Sequence, residues 1–496
     1  MRMYIEKYSS FKSAVGDATM AAPPAAGSVA MPDLAALTAC DLVDLYRRKE
    51  VSPVEAVRDA LARIERCEPA INAFVRVEGD AALAAARQSE ARWLKGEPNG
   101  RIDGLPATIK DNIDVAGLPC RKGSRVTPET PAAADAPSVA RLREAGAVFL
   151  GKTTLPEWGW IGVCHSPLTG VTRNPWARER TTGGSSGGAA AAALLNLGVL
   201  HLGTDGAGSI RIPAAFTGVF GIKPSYGRVP AFPASPFGVL SHQGPLTRNV
   251  ADAALMLSVI AGPDLRDATA WNAPAPDFRA GLDDGVRGLR VAFSPRLGYV
   301  TRIDPAVEAA VAEAARVFEA LGAKVEAVDP GFPEPIETLN AIWYGVAASI
   351  VAAVPEARRA EMDPGLRRMA DQGATVSLAD YLAAQARRAA LTEHMRRFHE
   401  RYDLLLTPQM PIPALEAGRV TPADGRFGDD WIAWSPFTYP FNLTGQPAAS
   451  VPCGFSADGL PLALQIVGPP RNDALVLRAA RAFETARPFE CLREPK

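Results

Sequence analysis

From Thr181 to Gly188 the chain reads TTGGSSGG, and an unbroken row of alanines follows. No other stretch constrains the fold as strongly. Glycines adopt backbone conformations closed to other residues, and a turn does not need four of them with two serines merely to change direction. Ser185 and Ser186 are therefore candidates for chemistry. A serine nucleophile needs a group to take its proton, and the usual one, histidine, occurs only five times in 496 residues.

The flanking sequence alternates helical and strand-like segments. Ser52-Pro53-Val54-Glu55 carries the N-cap serine, first-turn proline and N3 glutamate of a capping box. Val54, Val57, Leu61 and Ile64 then recur at helical spacing. Short apolar runs such as GAVFLG, LGVLHLG, LRVAFSP, AKVEAVD, YDLLLTP and ALQIVG predict strands, and RNVADAALMLSVIAG and AVEAAVAEAARVFEALGA predict helices. The alternation predicts an α/β fold, a mixed, mostly open sheet covered by helices on both faces. No linker divides the chain, so residues 31–496 are expected to form one domain. Residues 1–30 lack an apolar signal-peptide core and read as a disordered leader, with Met31 as an alternative start.

A net charge of −1 leaves no electrostatic footprint for nucleic acid or an anionic membrane. The longest uncharged runs, 181–204 and 431–457, are too polar for a membrane span. Six scattered cysteines, with no C-x-x-C and no histidine cluster, suit reduced thiols in a cytoplasmic protein and imply no metal site.

Two motifs match only in form. GAVFLGKT, residues 146–153, fits the phosphate-loop pattern, but Ala147–Leu150 read as a strand and Pro156 falls where a helix should elongate. Gly183–Gly187 fits the G-x-S-x-G elbow of α/β-hydrolases, which requires an acid and then a histidine downstream. His394 and His399 lie in a charged amphipathic segment, and His201 and His242 come too early.

The remaining candidate base is a lysine. Only ten of 53 basic residues are lysines, and lysine, unlike arginine, can lose its proton near neutral pH. PATIKDNIDVAG places Lys110 between a strand-like run and a turn, where burial could make its amine a general base. On this segment alone, an ion pair with Asp111 or Asp114 is the better reading. A second glycine-rich loop, GTDGAGSIRIP, shifts the balance. Ser209 follows Gly206, Ala207 and Gly208, whose amides can converge as an oxyanion hole.

Taken together, these segments resemble the amidase signature family. The similarity runs over roughly residues 50–480 and includes GLPATIKDNIDVAG, LREAGAVFLGKTTLPEW, TTGGSSGGAAAA, GTDGAGSIRIPAAFTGVFGIKPSYGRV, GPLTRNVADAALML, YDLLLTP and PFNLTGQPAASVPCGF. The resemblance implies a Ser-cisSer-Lys triad: Ser209 as nucleophile, Ser185 as relay after a non-proline cis peptide, and Lys110 as initially neutral base. It implies an oxyanion site in the turn containing Gly206, Ala207 and Gly208, with Ser186, Asp205 and Arg211 bracing the two loops. Ala207 stands where the family commonly has glycine, and a positive φ there would strain an alanine by roughly 1 kcal/mol or more.

The expected activity is hydrolysis of a small carboxamide or anilide, without cofactor or metal. The alternatives are the glutaminase subunit of a tRNA-dependent amidotransferase, which works with partner chains, and a catalytically silent binding protein. Trp431, Trp434, Phe437 and Tyr439 favour an apolar pocket over a glutamine site, and Trp158, Trp160 and Trp343 are further pocket candidates. A homodimer is left open.

Overall fold

The computed structural model describes residues 33–490, 492 and 494–496. The leader expected at 1–30 lies outside them, as does Cys491. At the first predicted helix, the Ser52 side chain accepts from the Glu55 amide while the Glu55 carboxylate accepts from the Ser52 amide; the helix runs Pro53–Ile71. Its Val57 and Ile64 are buried, as the spacing requires.

The centre of the molecule is an eleven-stranded mixed sheet. In spatial order its strands are Phe74–Val77, Val148–Thr153, Pro106–Lys110, Leu200–Asp205, His242–Thr247, Phe220–Lys223, Ala448–Phe455, Pro461–Val467, Leu404–Pro408, Arg290–Phe293 and Lys324–Ala327. Every residue of Pro106–Lys110, His242–Thr247, Leu404–Pro408 and Pro461–Val467 is buried. Successive side chains point to opposite faces of a strand, so both faces of the central sheet are covered. All six predicted apolar runs are strands of this sheet, and the two predicted helices appear as Val250–Ile260 and Pro305–Ala320. Lys152 and Thr153 of the phosphate-loop match lie inside a strand, with no turn to wrap a phosphate.

The chain from Ala35 to Lys496 forms one compact unit. No helix among the described residues is long and apolar enough to cross a membrane. What positions the site is the pairing of Pro106–Lys110 with Leu200–Asp205, which are adjacent and parallel, with Ile109 opposite Leu202. Their carboxyl ends therefore emerge side by side, the edge at which open α/β sheets place their ligands.

Candidate active site

Lys110 ends one of these strands, and Thr204 and Asp205 end the other. The glycine-serine turn arrives beside them and leads into the helix Gly187–Leu194, every residue of which is buried. Its small residues are required by close approach: a Cβ on Gly184 would run into the Val163 backbone, and one on Gly188 into the Ala73 carbonyl. The Gly184–Ser185 peptide is cis. The second turn passes through Ser209 into the helix Arg211–Thr217. The Ser186 amide donates to the Ser209 carbonyl at 3.0 Å, so the two serine turns are tied together.

Three hydroxyls surround the Lys110 amine: Ser185 Oγ at 2.7 Å, Ser186 Oγ at 2.9 Å and Thr204 Oγ1 at 2.8 Å. Among the described residues no carboxylate is in ion-pair range of Lys110. The Asp111 pairing considered from sequence does not form, because Asp111 faces Lys152 at 3.1 Å. Lys110 is wholly buried, and loss of solvation pushes its ammonium down to about 7. Ser185 and Ser209 are each about 95% buried. No histidine hydrogen-bonds either serine among the described residues; His201, for example, faces Thr108 Oγ1 at 2.8 Å.

Asp205 organises the second turn. Its carboxylate accepts from the Gly208 amide at 2.7 Å, the Ile210 amide at 3.2 Å and Asn442 Nδ2 at 2.8 Å. It also pairs with Arg211 Nε at 2.9 Å. Burial alone would raise this carboxyl, but Arg211, Lys223 and Asn442 outweigh it and hold Asp205 well below the usual carboxylate range. Arg211 is itself wholly buried and also donates to Gln465 Oε1 at 2.7 Å and to the Thr438 carbonyl at 3.0 Å.

A serine turn beside a buried, unpaired lysine is chemistry suited to acyl transfer, and the comparison with known sequences places it. The amidase family model matches residues 55–477. The chain belongs to the amidase signature family. An acylamidase of Rhodococcus erythropolis is 37% identical, over 91% of this chain and 96% of its own. A subunit of the glutamyl-tRNA(Gln) amidotransferase of Myxococcus xanthus is 39% identical, over 91% and 98%. Among solved structures, a bacterial aryl acylamidase of the amidase signature family superposes with a TM-score of 0.85 at 33% identity, covering 91% of this chain and 96% of that one. The protein is thus an amidohydrolase acting on carbon–nitrogen bonds.

Two details of this amidase differ from the sequence expectation. The Gly208 amide is spent on Asp205, which removes it from the expected oxyanion set. Among the described residues no protein acceptor takes the amides of Gly206, Ala207 or Ser209. Ala207 does not have a positive φ; Gly208 does, at 123°, so the position that needs glycine is the next one. Ala207 is held instead through its carbonyl, which accepts from Thr438 Oγ1 at 2.5 Å.

The candidate indoles lie at different depths. A Cβ on Gly206 would come within 3.1 Å of the Trp343 ring, so Trp343 borders the Ser209 turn directly. Phe237 stacks on Trp343 at 4.2 Å, and Trp431 stands behind it at 5.8 Å. Trp434 packs one layer back against Phe216. Trp158 is half-buried with φ 55°, under the Lys122 ammonium. Its neighbour Gly159 abuts Ser185, whose Oγ lies 3.0 Å from where a Cβ would stand.

Sequence reasoning missed Thr204, the third hydroxyl on Lys110, and Asn112, whose Nδ2 donates to Thr204 Oγ1 at 3.0 Å. Both lie within the quoted motifs, PATIKDNIDVAG and GTDGAGSIRIP, and their place at the strand ends was the available signal. Thr438, Asn442 and Gln465 lie more than 220 residues from the turn they brace and carried none.

Proposed function

We propose that this amidase hydrolyses a small carboxamide or anilide through an acyl-enzyme on Ser209, with Lys110 as base and Ser185 as relay. The observation that carries this reading is the buried Lys110 amine, 2.7 Å from Ser185 and without a carboxylate. A neutral amine has two N–H groups and one lone pair. Ser186 gives its own hydroxyl hydrogen to the Thr204 carbonyl at 3.0 Å, so toward Lys110 it accepts. Thr204 Oγ1 already accepts from Asn112 and takes the second N–H. The lone pair is left for the Ser185 hydroxyl.

Ser209 Oγ then attacks the amide carbonyl carbon as its proton passes to Ser185 and the Ser185 proton passes to Lys110. The oxyanion is received by the free amides of the Gly206–Ser209 turn, each worth about 3–4 kcal/mol in such a site. Collapse breaks the C–N bond, the departing amine takes the proton back along the same path, and water repeats the sequence to release the acid. The Trp343–Phe237 wall beside the turn supports an apolar, ring-bearing substrate.

The similarity to the glutamyl-tRNA(Gln) amidotransferase chain supports a second reading, a glutaminase working with partner chains. Amine release from a panel of aliphatic and aryl amides, with glutamine included and Ser209→Ala run alongside, separates the two. Turnover of anilides by the isolated chain that vanishes in Ser209→Ala supports the first reading. Turnover of glutamine alone supports the second, and full activity in Ser209→Ala removes the assigned nucleophile.

A further inference from the structure

A cavity of about 200 Å³ opens beside His242 and Gln243 at the start of the strand His242–Thr247, and Lys110, Ser185 and Ser209 do not line it. Its walls include Tyr226, Val229, Ser241, Gln243 and Asp267. Gln243 is 92% buried, and its Oε1 is committed to the Ser138 hydroxyl at 2.5 Å. Its Nε2 finds no partner among the described residues. Gln243 lines the open volume, and this amide is free to donate to a ligand oxygen there.

The lining charge is one-sided. Asp267 is the only charged residue in the wall, and no lysine or arginine lines it. His242, also in the wall, is kept uncharged: burial and the neighbouring Lys223 hold it well below the usual imidazole range. Its Nδ1 faces the Leu240 carbonyl at 2.8 Å, so the proton of the neutral ring sits there. An anion is disfavoured in such a cavity, and a cation finds a carboxylate. Size narrows the class further, since an apolar cavity of about 150 Å³ already holds benzene. Val229 and the Tyr226 ring supply apolar wall for one ring.

We propose that this cavity is a second ligand site, separate from the serine–lysine centre. It takes a single-ring ammonium compound whose hydroxyl or carbonyl oxygen accepts from Gln243. The ammonium group would pair with Asp267 and the ring would lie against Val229 and Tyr226. The inference does not depend on the catalytic roles assigned above.

Tyramine carries the required ammonium, ring and hydroxyl, and calorimetric titration of the full chain with it tests the site. Saturable binding is expected in the wild type and in Ser209→Ala. Asp267 also accepts from the Ala231 amide and from Thr269, so Asp267→Asn is paired with a melting curve; its affinity should fall at least tenfold in the folded variant, and binding should be lost in Val229→Trp, which fills the cavity. Benzoate, of similar size and opposite charge, should not bind. Absence of saturable tyramine binding, undiminished affinity in Asp267→Asn, or loss of binding in Ser209→Ala would overturn the proposal. None of these outcomes bears on whether Ser209 is the nucleophile.

Discussion

Lys110 and Lys152 stand on adjacent parallel strands, both buried, and only Lys152 has a carboxylate partner, Asp111 at 3.1 Å. The unpaired lysine is the one ringed by hydroxyls. Its amine therefore titrates near neutrality, where a general base is most effective.

Below about pH 7 Lys110 is protonated and cannot accept, so kcat/KM should fall about tenfold per pH unit, with a plateau above. Lys110→Arg should lose about a thousandfold or more at every pH, since a guanidinium keeps its proton. Between about 7 and 10.5 the unfolded chain binds the extra proton, so this group's contribution to stability rises with pH across that window. A pH series of turnover and of urea midpoints, compared with Lys110→Met, checks both.

Thr204→Val removes one acceptor of the Lys110 amine while keeping its shape. The lone pair is then no longer directed at Ser185, and kcat should fall tenfold or more, equivalent to about 1.4 kcal/mol, with KM unchanged. Steady-state kinetics beside a thermal melt separate this from a folding defect.

Arg211→Met leaves the wholly buried Asp205 carboxylate without its guanidinium. Removing one partner of a buried pair costs about 3–5 kcal/mol, so the denaturation midpoint should drop accordingly. A variant as stable as the wild type would show that Asn442 and the turn amides alone hold Asp205.

Gly159→Ala places a methyl group 3.0 Å from Ser185 Oγ, at a φ of 74° that disfavours any side chain. Activity should be lost well beyond the change in stability, which activity and melting curves on one preparation would show.

Much of this was legible in sequence because local rules and global fold agree. The capping box at Ser52–Glu55, the six apolar strands and the Asp205–Arg211 pair within one motif all rest on short-range chemistry. The two serine turns were readable because close backbone approach leaves glycine and alanine as the residues that fit. Gly208 was misread because converging amides look alike until the acceptor is known, and Asp205, three residues earlier, proves to be that acceptor. Trp434 was named for its residue type, which does not distinguish a lining indole from one a layer behind. Thr438, Asn442 and Gln465 reach the turn only through tertiary folding, and no local pattern marks them.

A Ser209 acyl-enzyme can be trapped by quenching the amidase during turnover of an activated anilide and mapping the acylated peptide by mass spectrometry. One acyl group is expected on the peptide containing Ser209, with less accumulating in Ser185→Ala and none in Ser209→Ala. An adduct on Ser185, or steady turnover with no adduct on any serine, would contradict the Ser209 acyl-enzyme.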